Sequence, residues 1–210
     1  MYNKKPFIVF EGIEGSGKSY HSKKIINYLK KNKIPYIYLR EPGGSKNAES
    51  IRKLILTKKS NTFNPLTDTL LYLAARNENY LSNIKSNYHK KIIICDRFID
   101  STFAYQSYGL GVNKNLINII NKYILKKIKP DFTFLMKIDV NESAKRINKR
   151  SKNNRYDNFK KRFYKKVQAG YLILANFNKS KYMIVDSKKN ITFNQNIILN
   201  KFKKLTNYNE

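Results

Sequence analysis

One segment, Gly12-Ile13-Glu14-Gly15-Ser16-Gly17-Lys18-Ser19, constrains this chain more than any other. It reads as Gly, four residues, then Gly-Lys-Ser. It follows the apolar run Phe7-Ile8-Val9-Phe10 and opens a helical pattern from Tyr20 to Lys31. Strand, glycine-rich turn and helix in that order is the context of a phosphate-binding loop, or P-loop. The glycines let successive backbone N–H groups face a polyphosphate, and the helix N-terminus adds positive potential. Gly12, Ile13, Glu14, Gly15, Ser16 and Gly17 are therefore expected to form the cradle. Lys18 is expected to reach the β- and γ-phosphates, with the Ser19 hydroxyl on Mg²⁺.

Beyond this loop, apolar β-branched runs alternate with helical patterns, which predicts an α/β fold with a five-stranded parallel sheet flanked by helices. Strands are placed at 7–10, 36–39, 92–95, 132–138 and 182–185, and helices at about 18–31, 47–57, 66–88, 114–128, 141–150, 158–176 and 192–205. The last helix repeats apolar residues at Phe193, Ile197, Ile198, Phe202 and Leu205, a helical period. With no repeat or linker, the 210 residues suit a single domain.

Composition narrows the class. No apolar run approaches the roughly 20 residues of a membrane helix. Met1 to Pro6 lead straight into a strand, leaving no room for a signal peptide. A lone cysteine, Cys95, fits a small apolar strand filler and a reducing cytoplasm. The net charge of +29 invites a nucleic-acid partner, but the lysines run along nearly every predicted helix. That spread reads as a solvated Lys surface, not a focused binding face, so a nucleic-acid partner is not expected. Only eight of the 43 basic residues are arginine. Lys replaces Arg on a wet surface but not where a planar fork grips phosphate or carboxylate, so each arginine is a candidate for such work. Arg52 and Arg162, on helical faces, also fit plain surface positions.

Ligands of such sheets bind at the carboxyl ends of the strands. Asp96 ends the third strand and is placed to hold Mg²⁺, directly or through water. Its neighbour Arg97 points to the opposite face and makes a separate contact. After the second strand, Arg40 is placed to clamp a phosphate bidentately, and Glu41 to support the metal. The same stretch also fits a plain turn in which Ser45 caps a helix. Residues 146–157 carry Arg146, Arg150 and Arg155, three arginines within ten residues. Phosphoryl transfer needs cations on the migrating group and exclusion of water, which an arginine-bearing lid supplies. A charged helix end is the simpler reading of that stretch.

Five motifs now stand in order: Phe-Glu-Gly-Ile-Glu-Gly-Ser-Gly-Lys-Ser (10–19), Arg-Glu-Pro-Gly-Gly-Ser (40–45), Ala-Ala-Arg (74–76), Asp-Arg-Phe-Ile-Asp-Ser (96–101) and Ala-Tyr-Gln (104–106). With this spacing, from residue 7 to about 175, the chain resembles bacterial-type thymidylate kinase. The resemblance implies a P-loop nucleoside monophosphate kinase fold and transfer of the ATP γ-phosphoryl group to dTMP. The products are dTDP and ADP, the reaction uses Mg²⁺, and it serves dTTP synthesis. It also implies a homodimer. By position, Glu14 would meet the deoxyribose 3′-hydroxyl, and Arg40 and Arg97 would hold the dTMP phosphate. Tyr72 would stack on thymine, and Arg76 would donate to the base carbonyl. Ser101, Tyr105 and Gln106 would line the sugar and base, with Tyr105 excluding a ribose 2′-hydroxyl. Tyr72 and Tyr105 also fit helix core.

The family has two layouts for its transition-state arginine, one within the P-loop and one in the lid. Gly15, together with Arg146, Arg150 and Arg155, resembles the lid layout, with Arg150 first choice for the catalytic contact beside Lys18 and Arg97. The chain departs from the family pattern at Tyr72 (usually Phe), Ser45 (Thr), Asp157 (Glu) and Asn154 (Asp). Two other classes share parts of the pattern. A deoxynucleoside kinase has a P-loop and an Asp-Arg step, but the paired clamps Arg40 and Arg97 suit an acceptor that already carries phosphate. A nucleic-acid-associated P-loop ATPase or a nucleotide switch is the non-enzyme alternative. The nearest match to a switch's Asn-Lys-x-Asp base reader, Asn121-Lys122-Tyr123-Ile124, lacks the Asp.

Overall fold

The computed structural model describes residues 5–57, 63–148 and 159–208. Five parallel strands, β1 (Phe7–Glu11), β2 (Tyr36–Arg40), β3 (Ile92–Asp96), β4 (Phe132–Lys137) and β5 (Tyr182–Asp186), form one sheet in the order β2-β3-β1-β4-β5. The helices are α1 (Lys18–Lys31), α2 (Lys46–Leu56), α3 (Pro65–Asn79), α4 (Lys85–Asn87), α5 (Ile99–Thr102), α6 (Lys114–Leu125), α7 (Val140–Asn148), α8 (Lys161–Phe177) and α9 (Ile191–Thr206). β1 is central, with β3 on one side and β4 on the other. The loop after β1 therefore opens where the strand order diverges, the place where open α/β sheets leave a crevice.

Burial explains why these runs are strands. Parallel strands covered on both faces read as continuous apolar sequence, and β1 and β3 are buried at every position. Alternate side chains serve opposite faces. Ile8 and Phe10 join Ile94 and Phe134 beneath α1 and α9, through Ile25, Leu29, Ile198 and Phe202. Phe7 and Val9 join Ile93 and Cys95 beneath α3 and α6, through Leu73, Ile124 and Leu125. A third cluster packs Leu135 and Ile13 against α8 through Val167 and Tyr171.

The strands differ from expectation at their carboxyl ends. β1, β2, β3 and β5 each run one residue further than the apolar pattern, taking in Glu11, Arg40, Asp96 and Asp186. Backbone pairing continues there, and the side chains of Arg40 and Asp96 meet the crevice. Asp96 registers with both Phe10 and Arg40, so the polar strand ends share one level.

Two helices also differ. The pattern at 66–88 is broken into α3, a π-helical turn (Tyr80–Ile84) and α4. The helix expected to reach 128 stops at Leu125, because Lys126 takes a left-handed φ of 53°. Residues 99–109, given no element from sequence, form α5 and a following π-helical turn, Phe103–Gly109. The cause is a long-range contact at Glu11.

Phe134 is fully buried and stacks on Phe10, with ring centroids 5.1 Å apart. Phe134→Ala is expected to cost about 3–5 kcal/mol of stability, read as a lower urea midpoint with an unchanged slope.

Candidate active site

The P-loop links β1 to α1, and its outer face is tied down. The carbonyls of Glu14, Gly15 and Ser16 accept from Ser143 Oγ (2.6 Å), Arg146 Nη1 (3.3 Å) and Ser187 Oγ (2.8 Å). Arg146 also donates through Nη2 to the Ser187 carbonyl (3.3 Å), so α7 and the loop after β5 clasp the P-loop from outside. Gly15 has a φ of 74°, and a Cβ there would meet the Ser143 carbonyl at 3.1 Å and Arg146 Cβ at 3.3 Å. A side chain there would meet both a backbone conformation that favours glycine and two tight contacts.

On the inner side, Lys18 Nζ donates to the carbonyls of Gly12 and Ile13, at 2.9 Å each. Burial, followed by Arg97, lowers the Lys18 pKa to about 8, against the opposing pull of Asp96 and Glu14. A polyphosphate in the loop supplies the missing counter-charge and restores the ammonium. Ser19 Oγ donates to Asp96 Oδ2 at 2.6 Å. The two residues thus present adjacent hard oxygen donors, the kind of set Mg²⁺ takes together with phosphate and water. Among the described residues, no group of three or more His, Cys, Asp or Glu side chains could hold a metal ion. A hydrated ion shared with phosphate needs no such cage.

Two spaces meet at Lys18 and Ser19. One, of about 340 Å³, is bounded by Gly15, Gly17, Tyr20 and Arg146. The other, of about 270 Å³, runs inward past Asp96 and Arg97 to Tyr72, Arg76 and Gln106. Glu14, Arg40, Glu41, Ser101 and Tyr105 also line this inner space.

Arg97 organises the inner space. Its backbone is left-handed (φ 69°), and its amide donates to the Phe10 carbonyl (2.9 Å). Nη2 donates to Glu14 Oε1 (2.7 Å) and to the Tyr105 hydroxyl (3.2 Å). Nη1 donates to Ser101 Oγ (3.2 Å) and to the Tyr171 hydroxyl (3.1 Å). Tyr105 in turn donates to Glu14 Oε2. Burial works to raise the Glu14 carboxyl, but Arg97, Lys18 and the Tyr105 hydroxyl outweigh it and hold it below its usual value. The guanidinium is thus kept charged and aimed, at the mouth of a polar chamber.

The other arginines divide by environment. Arg40 Nη2 spans both oxygens of Glu49 (3.0 and 3.1 Å) on an exposed wall. Exposed pairs of this kind are worth about 0–1 kcal/mol, so Arg40 can exchange Glu49 for an incoming phosphate. Arg76 is buried. Its Nε donates to Glu41 (2.8 Å), Nη1 to Asn121 (2.8 Å), and Nη2 to the Phe98 carbonyl (2.9 Å) and Thr102 (3.0 Å). Breaking one side of a buried pair costs about 3–5 kcal/mol. Arg76 is therefore anchored in the chamber wall while it still lines the inner space.

Glu41 lies beside it. Its carboxylate accepts Arg76 Nε and Asn79 Nδ2 (3.1 Å), and it lines the same space as Ser19 and Asp96. The Glu41–Pro42 peptide is cis. Ser45 caps α2, accepting from the Ala48 amide (3.2 Å). Gln106 Nε2 donates to buried Asp68 (3.4 Å). Arg150, Arg155, Asn154 and Asp157 lie outside the described residues.

Sequence reasoning missed four contributors. Arg52, taken as fitting a plain surface position, lines the inner space and donates to the Pro42 carbonyl (2.6 Å). Its signal was the scarcity of arginine. Glu11 and Tyr171 sit behind Arg97, with no local pattern to mark them. Asp100, at the back of the same wall, accepts from the Tyr182 hydroxyl (2.8 Å).

Comparison with known proteins decides the family. The family model for thymidylate kinase matches residues 10–198. The chain belongs to the thymidylate kinase family. A Clostridium novyi thymidylate kinase is 41% identical over 175 residues, 82% of this chain and 85% of that protein. One from Ligilactobacillus salivarius is 35% identical over 189 residues, covering 88% and 91%. The crystal structure of thymidylate kinase from Ehrlichia chaffeensis superposes with a TM-score of 0.76 at 32% identity, covering 95% of this chain and 98% of that one. With the family comes its reaction, ATP-dependent phosphorylation of dTMP.

In this thymidylate kinase scaffold Asp100 carries a pH signature. Burial, then the nearby Glu11 carboxylate, raises its pKa to about 7. Unfolded, it loses its proton near 4. From about pH 4 to 7 the folded chain holds the extra proton, so stability falls as pH rises through that window, and the full cost is present above it. Asp100→Asn keeps an acceptor for Tyr182 and has no proton to lose. Its melting temperature relative to wild type is expected to rise between about pH 5 and about pH 8. A difference that stays constant across that range would mean Asp100 titrates as an ordinary Asp.

Proposed function

We propose that the two spaces meeting at Lys18 and Ser19 are the donor and acceptor halves of an in-line transfer from ATP to dTMP. That junction is the observation that carries the reading. The outer space, between the P-loop and Arg146, suits the ATP phosphates. The inner space, with Arg97, Arg40 and Arg52 near its entrance and Tyr72 deeper, suits a nucleotide that already bears phosphate. Lys18 and Arg97 then bracket the migrating group. No covalent intermediate is needed, because position and charge supply the catalysis.

The roles follow from the contacts. Arg97 and Arg40 grip the acceptor phosphate, and Arg52, which the sequence left open between such work and a plain surface position, adds a third cation. Glu14, held ionised by Arg97, accepts the 3′-hydroxyl of the sugar. Tyr105, locked between Glu14 and Arg97, closes the space a ribose 2′-hydroxyl would need, and Tyr72 stacks on the base with Ser101 and Gln106 beside it. Ser19 and Asp96 fit Mg²⁺, which when bound neutralises charge on the phosphates. Arg146 covers the donor side, with Arg150 as the first choice for the transition-state contact and Arg155 beside it. Gly15 supports the lid layout, since α7 fills the room a P-loop side chain would need.

The chain works as one P-loop kinase domain, in the cytoplasm and as a homodimer. Among the described residues, no helix is long and apolar enough to cross a membrane. Support for the dimer comes from an exposed stripe of Leu66, Leu70, Ala74 and Leu81 along α3 and its π turn. Ile119 and Tyr123 are exposed on α6, which packs against α3. Residues four apart share a helix face, and an uncovered apolar face of this kind marks an interface.

An acceptor panel at fixed ATP tests the chemistry: dTMP is expected to outrun dUMP and thymidine in ADP release, and preference for thymidine would overturn the reading. Arg97→Ala should lower kcat/KM for dTMP about a hundredfold, the scale of losing one buried hydrogen-bonded charge. Arg150→Ala should depress kcat by at least a comparable factor. Near-wild-type rates in either variant remove that residue from the mechanism. For the dimer, light scattering should report two chains per particle and Leu70→Lys one. A monomeric wild type would reject the interface.

A further inference from the structure

Arg97 carries its charge on a strained backbone, and two of the groups that aim it are themselves held by a further residue. The support lies one layer behind it, at Glu11. This carboxylate is fully buried at the end of β1. Oε1 accepts from the amides of Phe98 (2.8 Å) and Ser101 (3.2 Å), and Oε2 accepts from Ser101 Oγ (2.6 Å) and the Tyr171 hydroxyl (3.0 Å). The two amide contacts pin the turn just after Arg97, where α5 begins. They hold the chain in the left-handed conformation that a non-glycine residue adopts only at a cost.

The two hydroxyl contacts do something different. Ser101 and Tyr171 are also the acceptors for Arg97 Nη1. A hydroxyl has one proton and two lone pairs. Both hydroxyls donate to Glu11 Oε2, which leaves their lone pairs for the guanidinium. Ser101 and Tyr171 lie within 2.7 Å of each other, so without that acceptor one could donate to the other and lose its orientation. Glu11 thereby sets the polarity of the cradle that holds Nη1.

We propose that Glu11 is a positioning residue for the acceptor-phosphate clamp, acting through Ser101 and Tyr171 to fix both the backbone and the hydrogen-bond polarity around Arg97. It touches no substrate itself. The proposal rests on the reading of Arg97 as the dTMP-phosphate clamp.

Glu11→Gln is the sharp test, because it keeps size and shape but places an NH₂ group where an acceptor stood. The amide can donate to Ser101 or Tyr171 and turn a hydroxyl proton against Arg97. The expected result is a rise in dTMP KM of about 10- to 100-fold, the scale of one charge-assisted hydrogen bond, with ATP KM within about twofold. Tyr171→Phe removes one arm and should raise dTMP KM by about 2- to 12-fold. It guards against misfolding of the Glu11 variant. In an Arg97→Lys background, Glu11→Gln should raise dTMP KM much less than in wild type, since coupled residues are not additive. Unmoved dTMP KM in both single variants overturns the proposal, as do equal rises in dTMP and ATP KM or full additivity with Arg97→Lys. Arg97→Ala run in parallel tests the underlying reading separately: an unmoved dTMP KM there sinks the clamp reading, whereas a raised KM there with unmoved Glu11 and Tyr171 variants sinks only the role of Glu11.

Discussion

The inner space of this protein depends on one largely enclosed guanidinium. Arg97 sits where β3 ends, with Glu14 and Tyr105 on one side and Ser101 and Tyr171 on the other. An isolated buried charge would be prohibitively costly. Here the cost is offset by a carboxylate and three hydroxyls, and these same groups build the chamber. Glu14 also belongs to the P-loop, so Arg97 is tied directly to that loop. Lys18 and Ser19, which line both spaces, are where the two meet.

The sheet provides the level on which this happens. Asp96 registers with Phe10 and with Arg40, so three strands deliver charged or loop-bearing ends to one plane. Buried β1 and β3 cannot slide relative to each other without exposing Ile8, Phe10, Ile92 or Ile94. Core packing and site geometry are thus the same constraint seen from two ends. Rigidity here matters more than affinity, because in-line transfer tolerates little displacement of the reacting groups.

How much could be read from sequence followed the range of the interactions. The P-loop was legible because strand, loop and helix are contiguous and glycine spacing has a local cause. The strands were legible because burial on both faces leaves unbroken apolar runs. Their last residues were missed because Glu11, Arg40 and Asp96 interrupt the run while still pairing. α5 was invisible for a different reason: the carboxylate that caps it comes from Glu11, 87 residues earlier than Phe98. The same applies to the buried pair of Arg76 and Glu41, 35 residues apart, which no local pattern announces. Arginine scarcity marked the right residue type at Arg52, and its helical setting disguised the side it faced. The family motifs located the chamber, and the fold decided which of their side chains face into it.

Gly15 has a consequence for how such an enzyme can change over generations. Its missing side chain is filled by the Ser143 carbonyl and Arg146 Cβ, so loop and helix are fitted to each other. A side chain introduced at 15 would have to shift one of these neighbours by a few tenths of an ångström. Any exchange at this position is therefore coupled to how α7 seats against the P-loop, and the two can only drift together.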